Sequence, residues 1–224
     1  MRDKTLKRLK KEWELVGKDD NYRLFIKGDM TGGMNNEQVF ANSGNTDTRY
    51  IVEHLKNVGF RISEHNLLEI GCGPARMAGY LSRYVYKYTG IDISSTIIER
   101  AKERCPGIDC RVADNLSGFN DGDFDIIFSY GTLQHIPKNL VRKYFEEGLR
   151  VLGNNGCFVF QLPLTEDENA TRISPLYLHK DIKLKNAVSF RYWTKKEFKG
   201  LINGYKFISS FKMLDESIFY IIQK

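Results

Sequence analysis

Leu6, Leu9, Trp13 and Val16 recur at intervals of three and four among basic residues, which predicts an amphipathic helix over residues 1–16. After a polar loop at 17–21, Tyr22 to Ile26 form a short aromatic and apolar stretch. Residues 28–36, rich in glycine and asparagine, read as a loop. Tyr50, Ile51, His54, Leu55 and Val58 mark a further helix, with Thr46 or Asp47 as its cap. From residue 66 the period changes. Short apolar runs at 66–71, 87–92, 108–112, 123–130 and 156–163 read as buried strands, separated by helical patterns near 75–85, 94–104 and 138–152. Ser94 caps the second of these helices and Gly107 stops it. Strands that alternate with helices imply a parallel sheet covered on both faces, with ligands at the carboxyl ends of its strands. A helix at 194–203 then leads into two closely joined strands, about 206–213 and 217–223, which must pair antiparallel. The expected fold class is α/β, a three-layer α/β/α sandwich around a mostly parallel seven-stranded sheet with an antiparallel C-terminal hairpin strand.

The chemistry concentrates where the first strand runs into a glycine turn. Asn66-Leu67-Leu68-Glu69-Ile70 is followed by Gly71-Cys72-Gly73, and a second strand, Tyr88 to Ile91, ends in Asp92. A glycine turn followed by an acid about 20 residues on is how an α/β sheet holds an adenosine ribose. Two departures argue against a dinucleotide. Glu69 stands where such turns carry an apolar residue, and Arg76 where the third glycine would fall.

Glu69-x-Gly71-x-Gly73 resembles motif I of the class I S-adenosylmethionine (SAM) dependent methyltransferases. The final hairpin is similar to the antiparallel last strand of that family's sheet, an independent match. The resemblance implies a methyl-transfer enzyme that uses SAM, releases S-adenosylhomocysteine (SAH) and needs no metal. It implies that Gly71, Cys72 and Gly73 admit the cofactor against the backbone and that Glu69 positions its methionine end. Asp92 then accepts the ribose hydroxyls, Ile93 touches the adenine face, and Asp114 with the Asn115 backbone receives the adenine amino group. Asp123 to Ser129 resembles the fourth strand, with Ser129 at the end that reaches the methyl group. Tyr130 and Gln134 belong to the loop where substrate and cofactor meet, and Phe40 to Gly44 resembles a segment that lies over SAM. His135 is the candidate general base, its ordinary pKa near 6.5 suiting proton removal at neutral pH; His54, His65 and His179 have weaker claims. In this family the stretch before the last helix forms the acceptor wall. The resemblance therefore implies that residues 164–193 are an acceptor-binding insertion, with Arg172 and Tyr192 as substrate contacts, in a methyltransferase domain at 46–224 preceded by an N-terminal helix and lid segment at 1–45; a solvated surface loop is the alternative for 164–193.

Composition narrows the acceptor only a little. The net charge of +6 favours an anionic small molecule such as a nucleotide-sugar or phosphorylated metabolite, or else RNA; a lysine-rich solvated surface explains it equally. The Asn/Asp-Pro-Pro-aromatic motif of nucleic-acid amine methylation is absent from Ser129-Tyr130-Gly131-Thr132, so nucleic acid loses ground. Cys72, Cys105, Cys110 and Cys157 form no C-x-x-C pair, which argues for free thiols and against zinc. No apolar run approaches the ~20 residues of a membrane span, so the reading is a cytoplasmic protein. The leading expectation is transfer to oxygen or nitrogen of a small molecule, within sugar, surface-glycan or natural-product pathways. An RNA methyltransferase and a silent SAM-binding partner subunit are the alternatives. The sequence does not specify oligomeric state.

Overall fold

The computed structural model describes residues 4–27, 36–167, 170–173 and 189–224. Its helices are α1 (Lys4–Lys18), α2 (Tyr22–Lys27), α3 (Glu37–Asn57), α4 (Ala78–Leu81), α5 (Ser95–Arg104), α6 (Lys138–Val151) and α7 (Lys195–Leu201). Its strands are β1 (Asn66–Ile70), β2 (Lys87–Asp92), β3 (Cys110–Val112), β4 (Phe124–Ser129), β5 (Leu152–Gln161), β6 (Thr171–Ile173), β7 (Ser189–Arg191), β8 (Lys206–Lys212) and β9 (Ile218–Gln223). Seven strands form one sheet in the order β3-β2-β1-β4-β5-β9-β8. β3, β2, β1, β4 and β5 run parallel, while β9 is antiparallel to both β5 and β8. This is the expected sheet, including its final hairpin.

Alternate strand residues face two separate cores, as the period of two requires. Leu68, Ile70, Phe158 and Phe160 pack with α1, α6 and α7 through residues such as Val16, Phe145 and Leu201. Leu67, Phe128, Cys157 and Val159 face α3 and α4 through Ile51, Leu55 and Leu81. All strand ends that carry the predicted chemistry therefore emerge between these two layers.

Several boundaries differ from the expectation. α3 begins nine residues or more before Thr46 and Asp47; its cap is Asn36, whose side chain accepts from Gln38 N and Val39 N. Phe40 to Gly44 is thus helical, and the boundary drawn between residues 45 and 46 falls within α3. Asp47 is instead a buried partner of Arg76 at 2.7 Å. α4 is a single turn because residues 71–77 continue the glycine turn, with Ala75 at φ 59°. β5 starts at Leu152, its register shifting between Phe124 and Ile126. Within 164–193, β6 and β7 pair antiparallel, with Arg172 opposite Phe190. His179 and the lysines near it lie outside the described residues. No helix among the described residues is long and apolar enough to cross a membrane.

The Glu14 side chain helps to fasten the N-terminal helix to α5. Glu14 accepts from the backbone of Ser95 (2.8 Å) and Thr96 (3.0 Å), so it caps α5 from outside. Gly17 makes the close approach possible: a Cβ there would lie 2.2 Å from Thr96 Oγ1. Partial burial works against its charge, but these backbone and hydroxyl hydrogen bonds hold Glu14 down at about 2. Its stabilisation is therefore present above about 4.5 and lost as pH falls through about 2. Glu14→Ala is expected to cost about 1 kcal/mol, roughly 2–4 °C in Tm for a chain of this size. Thermal melts at pH 7 and under acid should show the gap between parent and variant closing as the pH falls.

Candidate cofactor and acceptor site

The carboxyl ends of β1, β2, β4 and β5 open into a cavity of about 760 Å³, roofed by α1 through Leu6, Leu9 and Trp13. The glycine turn forms its floor. The amides of Gly71 and Cys72 both donate to Ile91 O, at 2.8 and 3.0 Å, and so pin the turn to β2. Gly71 has φ 75° and Gly73 φ 55°, values that disfavour any side chain. A Cβ on Gly71 would lie 2.1 Å from Thr132 Oγ1, whereas one on Gly73 would have one near neighbour, Ile26 Cδ1 at 3.9 Å. Ala75 occupies the left-handed region that a glycine would take freely.

Two carboxylates flank this turn. Asp92 accepts from Gly73 N through Oδ2 (3.2 Å) and from Ser94 N through Oδ1 (3.0 Å). Burial raises it to about 6, against the pull of those amides. Glu69 accepts from Tyr88 Oη at 2.5 Å. Burial raises it to about 7, with the Tyr88 hydroxyl and the Arg76 charge acting the other way. Both carboxylates line the cavity, as do Cys72 and Ile93. Cys72 dips over Gly90, whose missing side chain leaves room for it. A hydrogen bond with Cys110, together with burial, pushes the Cys72 thiol well up. All four cysteines are free thiols.

The far wall comes from the loop after β4 and from the C-terminal half of the chain. Tyr130, Gln134, His135 and Tyr192 all line it. Tyr130 Oη donates to Asp215 Oδ2 at 2.5 Å, and Arg76 lies over its ring. His135 is 4% exposed, edge-on to Trp13 and Phe190 with ring centroids at 5.7 and 4.8 Å. Burial, aided by the Arg191 charge, holds it down at about 3. The position suits the expectation of a general base and the basicity does not, since a base this weak removes protons poorly near neutral pH.

Three predicted contacts fall elsewhere. Ser129 is fully buried and donates to Ile70 O at 3.0 Å, tying β4 to β1 rather than facing the cavity. Asp114 and Asn115 are exposed. They bond each other at 2.6 Å while Asn115 Oδ1 accepts from Ser117 N, an Asx turn on the rim; Ala113 is the wall residue instead. The Arg172 side chain lies outside the described residues. His54 bonds Tyr50 O and stacks on Phe211, and His65 faces Asp125, both away from the cavity wall. Among the described residues no cluster of His, Cys, Asp and Glu is arranged to hold a metal.

Wall residues that sequence reasoning did not name include Ala113, Tyr144, Gln161, Phe190 and the hairpin turn Asp215-Glu216-Ser217. The turn had a signal. A strand antiparallel to β5 begins where β5 ends, so the residues just before β9 necessarily sit at the cavity mouth.

Comparison with known proteins agrees with this geometry. Residues 68–160 match the family described as a methyltransferase domain. Over 118 residues the chain is 28% identical to trans-aconitate 2-methyltransferase of Rhizobium rhizogenes, covering 52% of this chain and 44% of that enzyme. Over 140 residues it is 27% identical to phosphoethanolamine N-methyltransferase 1 of Arabidopsis thaliana, covering 58% of this chain and 28% of that protein. The chain thus spans less than half the length of these curated relatives. Phosphoethanolamine N-methyltransferase 1 of Haemonchus contortus was solved with phosphoethanolamine and SAH. It shares the fold over 97% of this chain and 48% of its own, with TM-score 0.67 at 13% identity. The domain match over residues 68–160, the glycine turn and the antiparallel end of the sheet agree with one another, and the chain has the fold of the class I SAM-dependent methyltransferases.

Proposed function

We propose that this chain is a SAM-dependent methyltransferase that moves a methyl group to an oxygen or nitrogen of a small molecule. The observation that carries the reading is Asp92. Its carboxylate is oriented by Gly73 N–H and Ser94 N–H at the edge of a cavity, and it retains acceptor capacity for two ribose hydroxyls. The residues fit the cofactor: where a Cβ on Gly73 would stand, its one near neighbour is Ile26 Cδ1 at 3.9 Å, and both flanking carboxylates line the cavity. When bound, SAM supplies a methyl group on a sulfonium sulfur, open to in-line displacement. Asp92 holds the ribose, and Glu69 supplies negative charge toward the methionine end. Leu6, Leu9, Trp13 and Phe190 cover the cavity and exclude water, which keeps acceptor and methyl group aligned. Phe190 and Tyr192 extend the acceptor wall from the 164–193 insertion, and His135 orients rather than deprotonates. That the named relatives act on small molecules supports the acceptor class. A sugar or glycan acceptor rests on the resemblance of the segments around Trp13 and around His135 to Pro163.

The raised carboxylates give a signed pH test. Because folded Asp92 and Glu69 hold their protons above the ordinary values of 3.8 and 4.5, their contribution to stability is full below about 4. It is lost as pH rises through about 6 and about 7. A cation bound beside them favours their ionised forms. SAM affinity is therefore expected to rise by about tenfold or more between pH 5 and pH 8, with protons released on binding. Titration calorimetry in buffers of different ionisation heat measures both. Affinity that is flat, or that strengthens toward acid, contradicts the placement.

His135 gives a second test. His135→Asn is expected to change acceptor KM more than it changes the kcat profile between pH 6 and 9. A fall in kcat toward pH 6 that is present in the parent and lost in His135→Asn would restore His135 as the base.

A further inference from the structure

The roof helix α1 carries its charges unevenly. Lys4, Lys7, Lys11 and Lys18 recur at intervals of three, four and seven, so they form one stripe along the helix, with Lys10 beside it. All five are exposed, and no side chain among them makes an ion pair or hydrogen bond with a described residue. Both acids of the helix are engaged elsewhere. Glu12 is 5% exposed and takes Arg8 at 3.3 Å, while Glu14 accepts from the amides of α5. Leu15, 41% exposed, stands on the lysine face between Lys11 and Lys18. Asp19 and Asp20 close the stripe just past the carboxyl end of the helix. The chain's net charge is +6, so most of the excess is gathered on this one face.

That segregation separates the face from an ordinary solvated surface, which mixes charges of both signs. A rod about 22 Å long presents a single sign to solvent. Its apolar side is already occupied, since Leu6, Leu9 and Trp13 roof the cavity and Val16 is buried. What the outer face lacks is negative charge. Single-stranded nucleic acid is held by a basic groove with aromatic rings for its bases, and discrete phosphates are forked by arginine. Neither device is present on the stripe. It is convex, Trp13 is turned to the cavity, and the helix's sole arginine, Arg8, is engaged by Glu12. Lysines in a straight row are point charges that suit a diffuse negative surface, and Leu15 adds an apolar group at the same level.

We propose that the outer face of α1 docks the chain reversibly on the surface of an anionic lipid bilayer. Lys4, Lys7, Lys10, Lys11 and Lys18 meet the headgroups, and the cavity lies beneath them by about one helix diameter, roughly 10 Å. The contact is electrostatic and needs no insertion, so α1 keeps its seat on α5 while docked. The proposal goes beyond the methyl-transfer reading and stands or falls separately from it.

The test floats the full chain with vesicles of phosphatidylcholine, alone or with phosphatidylglycerol as the anionic lipid. Binding is expected only to the anionic vesicles at about 0.1 M salt. It should be lost near about 1 M, where the Debye length has fallen from about 10 to about 3 Å. Each lysine near such a surface strengthens binding roughly fivefold, so Lys7→Gln with Lys11→Gln should weaken it roughly 25-fold. Lys87→Gln with Lys206→Gln is the matched control. Both are exposed and open β2 and β8, at the end of the sheet away from the cavity, so the same loss of net charge should change binding little. Thermal melts show that each variant is folded. Equal loss in the two double variants, or no loss in the α1 variant, overturns the assignment to this face. Failure to bind anionic vesicles, equal binding to neutral ones, or binding that survives high salt overturns the docking. A mixed-sequence single-stranded RNA that binds more tightly at equal phosphate concentration, and loses as much in the α1 variant, overturns the lipid in favour of RNA.

Discussion

Gly71→Ala is expected to destabilise the chain by roughly 2–5 kcal/mol and to abolish SAM binding. About 1–2 kcal/mol comes from holding a residue with a Cβ at positive φ, and about 1–3 kcal/mol from overpacking. The new Cβ would lie 2.1 Å from Thr132 Oγ1 and 2.6 Å from Thr132 Cβ, so the clash involves the root of a side chain that cannot swing away. Moving the turn instead would break the amide bonds of Gly71 and Cys72 to Ile91 O, which hold the cavity floor on β2. Denaturant unfolding of the variant measures the loss. Adding Thr132→Gly is expected to recover the overpacking share but not the backbone share, leaving about 1–2 kcal/mol unrecovered. A single variant within 0.5 kcal/mol of the parent would show that the turn is far softer than its geometry indicates.

Asp92→Ala is expected to weaken SAM binding by roughly 1–3 kcal/mol, about five- to 150-fold, through loss of charged hydrogen bonds to the ribose. The substitution also strips an acceptor from Gly73 N and Ser94 N, so part of the effect comes through a loosened turn. Asp92→Asn separates the two. It keeps one acceptor oxygen but cannot ionise, so its affinity should be intermediate, and the share of the rise between pH 5 and 8 that belongs to Asp92 should vanish. Calorimetry across that range checks both statements. Unchanged affinity in a folded Asp92→Ala chain removes the ribose from this position.

Much of this was legible in the sequence because it is local. Apolar runs separated by helical periods give the five parallel strands, and the close spacing of β8 and β9 forces their antiparallel pairing. Glu69, the two glycines and Asp92 were readable because a tight turn and an acid one strand later meet by chain geometry alone. The misses are long-range. Gly44 breaks the helical pattern by eye, yet it lies inside α3 because a Cβ there would meet Arg76 O at 2.0 Å. Asp47 resembles a cap until the buried Arg76 supplies its partner. The early start of β5 was not legible, because the strand pattern is continuous only from residue 156 while Leu152 reads as the end of a helix. Gly153 to Gly156 sit in the irregular stretch of the strand, with Asn155 at φ 64°. Ser129 and Asp114 were assigned from their places along strands, but the side-chain direction of one and the exposure of the other depend on packing that no local pattern encodes. The lid assigned to residues 1–45 was legible as an amphipathic helix, but its attachment was not, since it depends on Glu14 meeting α5 some eighty residues away.

The central claim is methyl transfer, and methyl-labelled SAM tests it most directly. Purified chain is incubated with the label and fractionated cell extract, and the label is followed. The account predicts label in a low-mass product, with SAH released in equal amount and transfer lost in Asp92→Ala. Label in a nuclease-sensitive fraction would contradict the small-molecule reading in favour of RNA, and SAM binding without transfer in any fraction would contradict the claim of catalysis.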